Sequence, residues 1–219
     1  DADYTYLSGA DLEYLVRPSA TPGYGRVDIP GLKQGRYDIV ITASDGTEHK
    51  REKIQVYGYD RSGYAHWTKE GGNGGYNGVG AYNNDGTLKD NAIVVYITEQ
   101  NKNTVDIPGY EGHEDVAYAS STSGASWTRG TKGVGNILNN NHKFLREVTG
   151  TDNHPIVFRI VGEVTAPENL TPYNQKTNEL GGSKGDNGNM AISKYAKNIT
   201  IEGIGDDATI NGWGISFSQ

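Results

Sequence analysis

The chain has 219 residues, 34% of them hydrophobic, with 31 glycines and a formal net charge of −7. Low apolar content with so much glycine argues against a helical bundle and for short strands joined by turns. The acidic balance argues against a nucleic-acid partner and against a polyanion bound broadly over the surface. There is no cysteine, which excludes disulfides, thiol catalysis and a cysteine-based zinc site.

Tyrosine outnumbers phenylalanine fifteen to three, which reads as half-exposed strand packing. No run approaches the ~18 apolar residues a membrane span requires, so no membrane partner is expected. Asp1-Ala2-Asp3-Tyr4 has the look of a mature or trimmed N-terminus.

Residues 1–57 read as a small β-unit. Arg26-Val27-Asp28-Ile29 is a short strand stopped by Pro30-Gly31. Arg36 to Ala43 alternates, with Tyr37, Ile39, Ile41 and Ala43 on one face. Ser44-Asp45-Gly46-Thr47 is a tight-turn signal, and Glu48 to Val56 returns as the partner strand.

Residues 58–132 form an extended, glycine-rich region containing one buried strand. Residues 58–90, with the run Gly71 to Gly78, read as a linker or an extended loop wrapped on the surface, closed by Asp85-Gly86-Thr87. Ala92 to Thr98 is apolar on both faces, which suits a parallel sheet. Residues 99–132 are expected to be irregular. Within them Val105-Asp106-Ile107-Pro108-Gly109 repeats Val27 to Gly31, which predicts the same strand-then-turn solution used twice.

Residues 133–219 read as a helix followed by stacked coils. Val134, Ile137, Leu138, Leu145 and Val148 follow helical spacing over 134–148, placed to cap the coils C-terminal to it. Ile156 to Val161, Asn198 to Ile204, Ala208 to Ile210 and Trp213 to Phe217 are short apolar runs with no helical pattern between them. Such runs predict the opening coils of a parallel β-solenoid, each needing a neighbour to bury its apolar face.

The order of several segments resembles bacterial pectate lyases of polysaccharide lyase family 1. These are Tyr59 to His66, Gly78 to Tyr82, Asp85 to Val94, Val157 to Thr165, Gly185 to Met190 and Asn198 to Gly205. The likeness covers roughly residues 57–219, and residues 1–57 resemble the fibronectin-III-like appendage some of these enzymes carry. The resemblance implies an all-β fold: a right-handed parallel β-helix, here its first coils with an N-terminal capping helix, preceded by a small sandwich-like unit. It implies a secreted, extracellular bacterial enzyme that cleaves α-1,4-polygalacturonate (pectin) by calcium-assisted β-elimination. Calcium, a hard cation with several oxygen ligands, and an arginine base serve that chemistry in the family. Those residues lie on later coils, so no catalytic, substrate-binding or metal residue is carried over to this chain. The expected partner is the C-terminal remainder of the protein, as a covalent continuation or a second chain. A non-catalytic polysaccharide-binding or adhesin β-helix is the alternative.

Other candidates are weighed on their residues. Asp206-Asp207 is an acidic pair expected to sit at a turn between coils. Asp186-Asn187-Gly188-Asn189 is oxygen-rich but lacks calcium-loop spacing, and is expected to be an Asx turn. His49, His66, His113, His142 and His154 show no metal-ligand spacing. Arg159, inside an apolar run, could meet a uronate through its fork or be the outward residue of a strand; the latter is expected. Asn169-Leu170-Thr171 and Asn198-Ile199-Thr200 match glycosylation sequons, expected by chance.

Overall fold

The computed structural model describes residues 9–19, 22–58, 80–109, 116–119, 126–129, 133–135, 137–138, 154–167, 189–192 and 198–217. The architecture is largely β. Helix α1 (Gly9–Leu15) leads into β1 (Val16–Pro18), which pairs antiparallel with β2 (Gly25–Val27). Strands β3 (Gly35–Thr42) and β4 (Glu48–Val56) form an antiparallel hairpin. Gly46 supplies its turn at φ 85°, a conformation that costs glycine nothing, and the Thr47 amide donates to the Asp45 carboxylate. This hairpin matches the sequence pattern, except that the alternation breaks at a bulge. There the Lys53 backbone takes φ 59° and its N–H is caught by Asp38. Helix α1 is a correction to the reading of 1–57 as purely β.

The centre of the molecule is a parallel sheet of three strands. Strand β8 (Ile156–Thr165) lies between β5 (Ile93–Ile97) and β10 (Ile199–Asn211). The three are in register, so similar side chains stack. Ile93, Ile156 and Ile199 form one row, and Val95, Phe158 and Ile201 another. These rows face a core completed by Val105, Ile107, Val134, Ile137, Leu138 and Trp213. Fully burying each such side chain contributes about 1.5–3 kcal/mol. A second parallel pair joins β9 (Asn189–Ile192) to β11 (Gly214–Phe217). From β8 onward the described strands therefore alternate between two parallel sheets, with β10 and β11 each pairing with the strand two places earlier.

The opposite face of the three-stranded sheet is also covered. Leu15 and Tyr14 of α1 pack on Tyr96, Val161 and Ile204, while Ala81, Tyr82 and Leu88 pack on Val157. The apolar-on-both-faces pattern of β5 reflects this double burial. The last part of the glycine-rich region is thus not a surface wrap, since Ala81 and Tyr82 are buried. The run 71–78 lies outside the described residues.

Three further expectations change. Residues 99–132, read as irregular, contain an antiparallel pair, β6 (Val116–Ala119) with β7 (Ser126–Arg129). The repeated pentapeptide shares only its turn. Gly31 and Gly109 both have positive φ, but Val27 closes a strand whereas Val105 and Ile107 are buried in irregular backbone. Of the helix read over 134–148, the described residues Val134, Gly135, Ile137 and Leu138 are helical and buried. Gly133 anchors that turn, donating to the Val105 carbonyl and accepting from Ile137.

Candidate functional site

The outer face of the parallel sheet carries one row of polar residues. Register places Tyr96, Arg159 and Glu202 side by side on β5, β8 and β10. Period-two alternation turns all three away from the isoleucine core. Arg159 is nevertheless only 4% exposed, because Tyr82 and the α1 segment lie over it. The outward reading of Arg159 was right about the strand face and wrong about solvent.

Each Arg159 nitrogen finds a partner. Nε donates to Glu202 Oε1 at 2.9 Å, Nη1 to the Tyr96 hydroxyl at 2.9 Å and Nη2 to the Tyr82 hydroxyl at 2.9 Å. Tyr82 in turn donates to Glu202 Oε1 at 2.5 Å. Tyr96 donates to Asp11 of α1 and stacks on Tyr14, ring centroids 4.4 Å apart. A buried cation is tolerated only when paired and hydrogen-bonded, and this one is both. Burial alone would lower the Arg159 pKa, but the Tyr82 hydroxyl and the Glu202 charge outweigh it and raise the value. Burial, then the Glu202 charge, raise the Tyr82 phenol well above its usual range. Arg159 is therefore a fixed cation engaged within the fold, and Tyr82 is a hydrogen-bond donor rather than a base.

Glu202 and Tyr82 line a cleft of about 250 Å³. The segment Ile29 to Leu32, Val56 and Tyr57 at and just after the end of β4, and Gly86 complete its lining.

The acidic pair is placed differently from expectation. Asp206 and Asp207 lie within β10, where four residues, Gly205 to Ala208, bulge out of register between the pairs Ile204–Val161 and Thr209–Glu163. They are not at a turn between coils. Arg17 donates to Asp207 at 2.9 Å and to Asp28 at 3.0 Å, and Arg26 to Asp206 at 2.9 Å and to Asp28 at 3.1 Å. Burial opposes ionisation of Asp207, but its hydrogen bond to Arg17 and the charges of Arg17 and Arg26 hold its pKa below the usual carboxylate value. The pair serves to fasten β1 and β2 onto the sheet.

No group of three or more potential metal ligands occurs among the described residues. His49 is exposed on β4 and His154 is half-buried before β8. Asn189 begins β9, and Asn198 takes φ 54° just before β10. His66, His113, His142, Asn169 and 186–188 lie outside the described residues. Sequence reasoning missed Tyr82, Tyr96 and Glu202. The one available signal was a polar residue at the same register position in each of three apolar strands. Compared with family models, curated proteins and solved structures, the chain gives no match.

Proposed function

We propose that residues 1–219 are the N-terminal portion of a secreted bacterial pectate lyase built on a right-handed parallel β-helix. The observation that supports this reading is the strand order. Strands β8 to β11 alternate between two parallel sheets, and β10 and β11 each pair in parallel with the strand two places earlier, as successive coils of a solenoid would. On this reading the helical residues 134–135 and 137–138 cap the stack, and residues 1–57 are an accessory unit. The catalytic centre and its calcium ligands belong to coils outside this chain, and the remainder of the protein is its partner.

The reaction removes the C5 proton of a galacturonate unit. Its electron pair forms the C4–C5 double bond, the C4–O bond breaks, and the departing oxygen takes up a proton. The proton is weakly acidic, so the step needs a base and positive charge at the uronate carboxylate. Calcium supplies that charge in the proposed enzyme.

The test is to assay the native-length polypeptide on polygalacturonate, following the ultraviolet absorbance of the unsaturated product end. A calcium-dependent rise abolished by a chelator is expected. No rise with or without calcium removes the enzyme reading. Co-sedimentation with the polymer would then favour a non-catalytic binding β-helix.

A further inference from the structure

We propose that the cleft beside Glu202 is a binding site for a single neutral sugar ring. The proposal does not depend on the lyase reading, because the cleft lies on the covered outer face of the sheet and is built entirely from residues of this chain.

Size is the first consideration. At about 250 Å³ the cleft falls below the ~300 Å³ at the lower end of drug-sized pockets, so it suits one ring rather than an extended ligand. Its composition is two-sided. Pro30, Leu32 and Val56 give it apolar lining, and Tyr57, which also lines it, keeps 80% of its surface exposed. An aromatic ring offers a face on which the C–H side of a pyranose packs.

Charge then separates the ligand classes. Glu202 Oε1 accepts from both Arg159 and Tyr82, while Oε2 accepts from none of the described residues. The Glu202 side chain is 25% exposed and lines the cleft. The carboxylate charge is already balanced by Arg159 at 2.9 Å. What the cleft presents is an acceptor without surplus charge. A sugar hydroxyl can donate to it, as hydroxyls commonly do to carboxylates. A uronate would bring a second carboxylate against Glu202, and an ammonium would meet a carboxylate already paired.

Ligand-observed NMR on the 219-residue chain tests this with single-ring probes. Methyl β-galactoside or methyl β-glucoside is expected to show saturation transfer, with a Kd of about millimolar order. Methyl galacturonoside and n-butylammonium are expected to bind more weakly. Tyr57→Ala should weaken the neutral ligand about tenfold, and Tyr57→Phe should leave it nearly unchanged. Thermal melts of both variants should match the parent, since Tyr57 is exposed. Four results would each overturn the proposal: no binding of either neutral sugar, equal binding by Tyr57→Ala, tighter binding of the uronate, or tighter binding of the ammonium.

Discussion

At the scale of single residues, Arg159 carries the heaviest consequence. Truncating it takes the Arg159 donor from both tyrosine hydroxyls and leaves Glu202, half-buried, without its counter-ion and with the Tyr82 hydroxyl as its remaining donor. Removing one partner of a buried pair costs about 3–5 kcal/mol, and Arg159→Ala is expected to lower stability by that amount in urea unfolding. Glu202→Gln keeps an acceptor for Nε and should cost less. Equal losses would mean that charge, not hydrogen bonding, holds the row together. Gly205 is the second informative position. Its φ of 78° is in the left-handed region, and an added Cβ would overlap the Arg26 guanidinium at Nη2. Gly205→Ala therefore adds backbone strain of about 1–3 kcal/mol and requires the Arg26 side chain to shift. A melt unchanged from the parent would refute the strain. The oddity of Arg159 was legible in the sequence, as a lone polar residue among apolar ones. Its partners stand 43, 63 and 77 positions away, and no local pattern links residues so far apart.

At the scale of elements, the ends of β5 and β8 are tied by a carboxylate. Glu99 accepts from the Lys102 ammonium at 2.6 Å, and from the Thr165 amide and hydroxyl at 2.7 Å each. The Lys102 hydrogen bond first, then those from Thr165, hold its pKa at about 2, against an ordinary 4.5. The folded value is the lower one, so the tie contributes fully above pH 4.5 and is lost as pH falls towards 2. Carboxyl titration by NMR should find Glu99 protonating near the lower value, and Lys102→Met should move it upward. A Glu99 midpoint near 4.5 in the parent protein would show that the tie does not form. The strands that this tie joins were readable from their apolar runs. The bulge in β10 was not. Ile199 to Ile204 and Ala208 to Ile210 look like two strands because the residues between them are polar or glycine. They remain one strand because pairing with β8 resumes at Thr209–Glu163, shifted by about three residues from the register before the bulge, and Gly162 on β8 takes a positive φ, 67°, opposite it.

At the scale of the whole molecule, burial is uneven, and this sets an order of local opening. Strand β8 has a partner on each side and is buried along nearly its whole length. Hairpin β3–β4 has only its own two strands, and most of its residues are exposed. An isolated two-stranded hairpin is marginal in water, and amides exchange through the cheapest opening available to them. Hydrogen exchange should therefore find β8 amides the slowest, those of β5 and β10 next, and β3–β4 the fastest among the strands described. The α1–β2 segment belongs between these limits, because its grip on the sheet is mixed. Leu15 and Tyr14 are packed on Tyr96, which salt does not weaken, whereas Arg17 and Arg26 meet half-exposed Asp207 and exposed Asp206, which salt screens. Raising ionic strength should accordingly speed exchange in β1 and β2 while leaving β8 unchanged. Uniform acceleration across all strands would instead mean that the N-terminal segment and the parallel sheet open as one cooperative unit. The unit boundary read at residue 57 would then have no energetic counterpart.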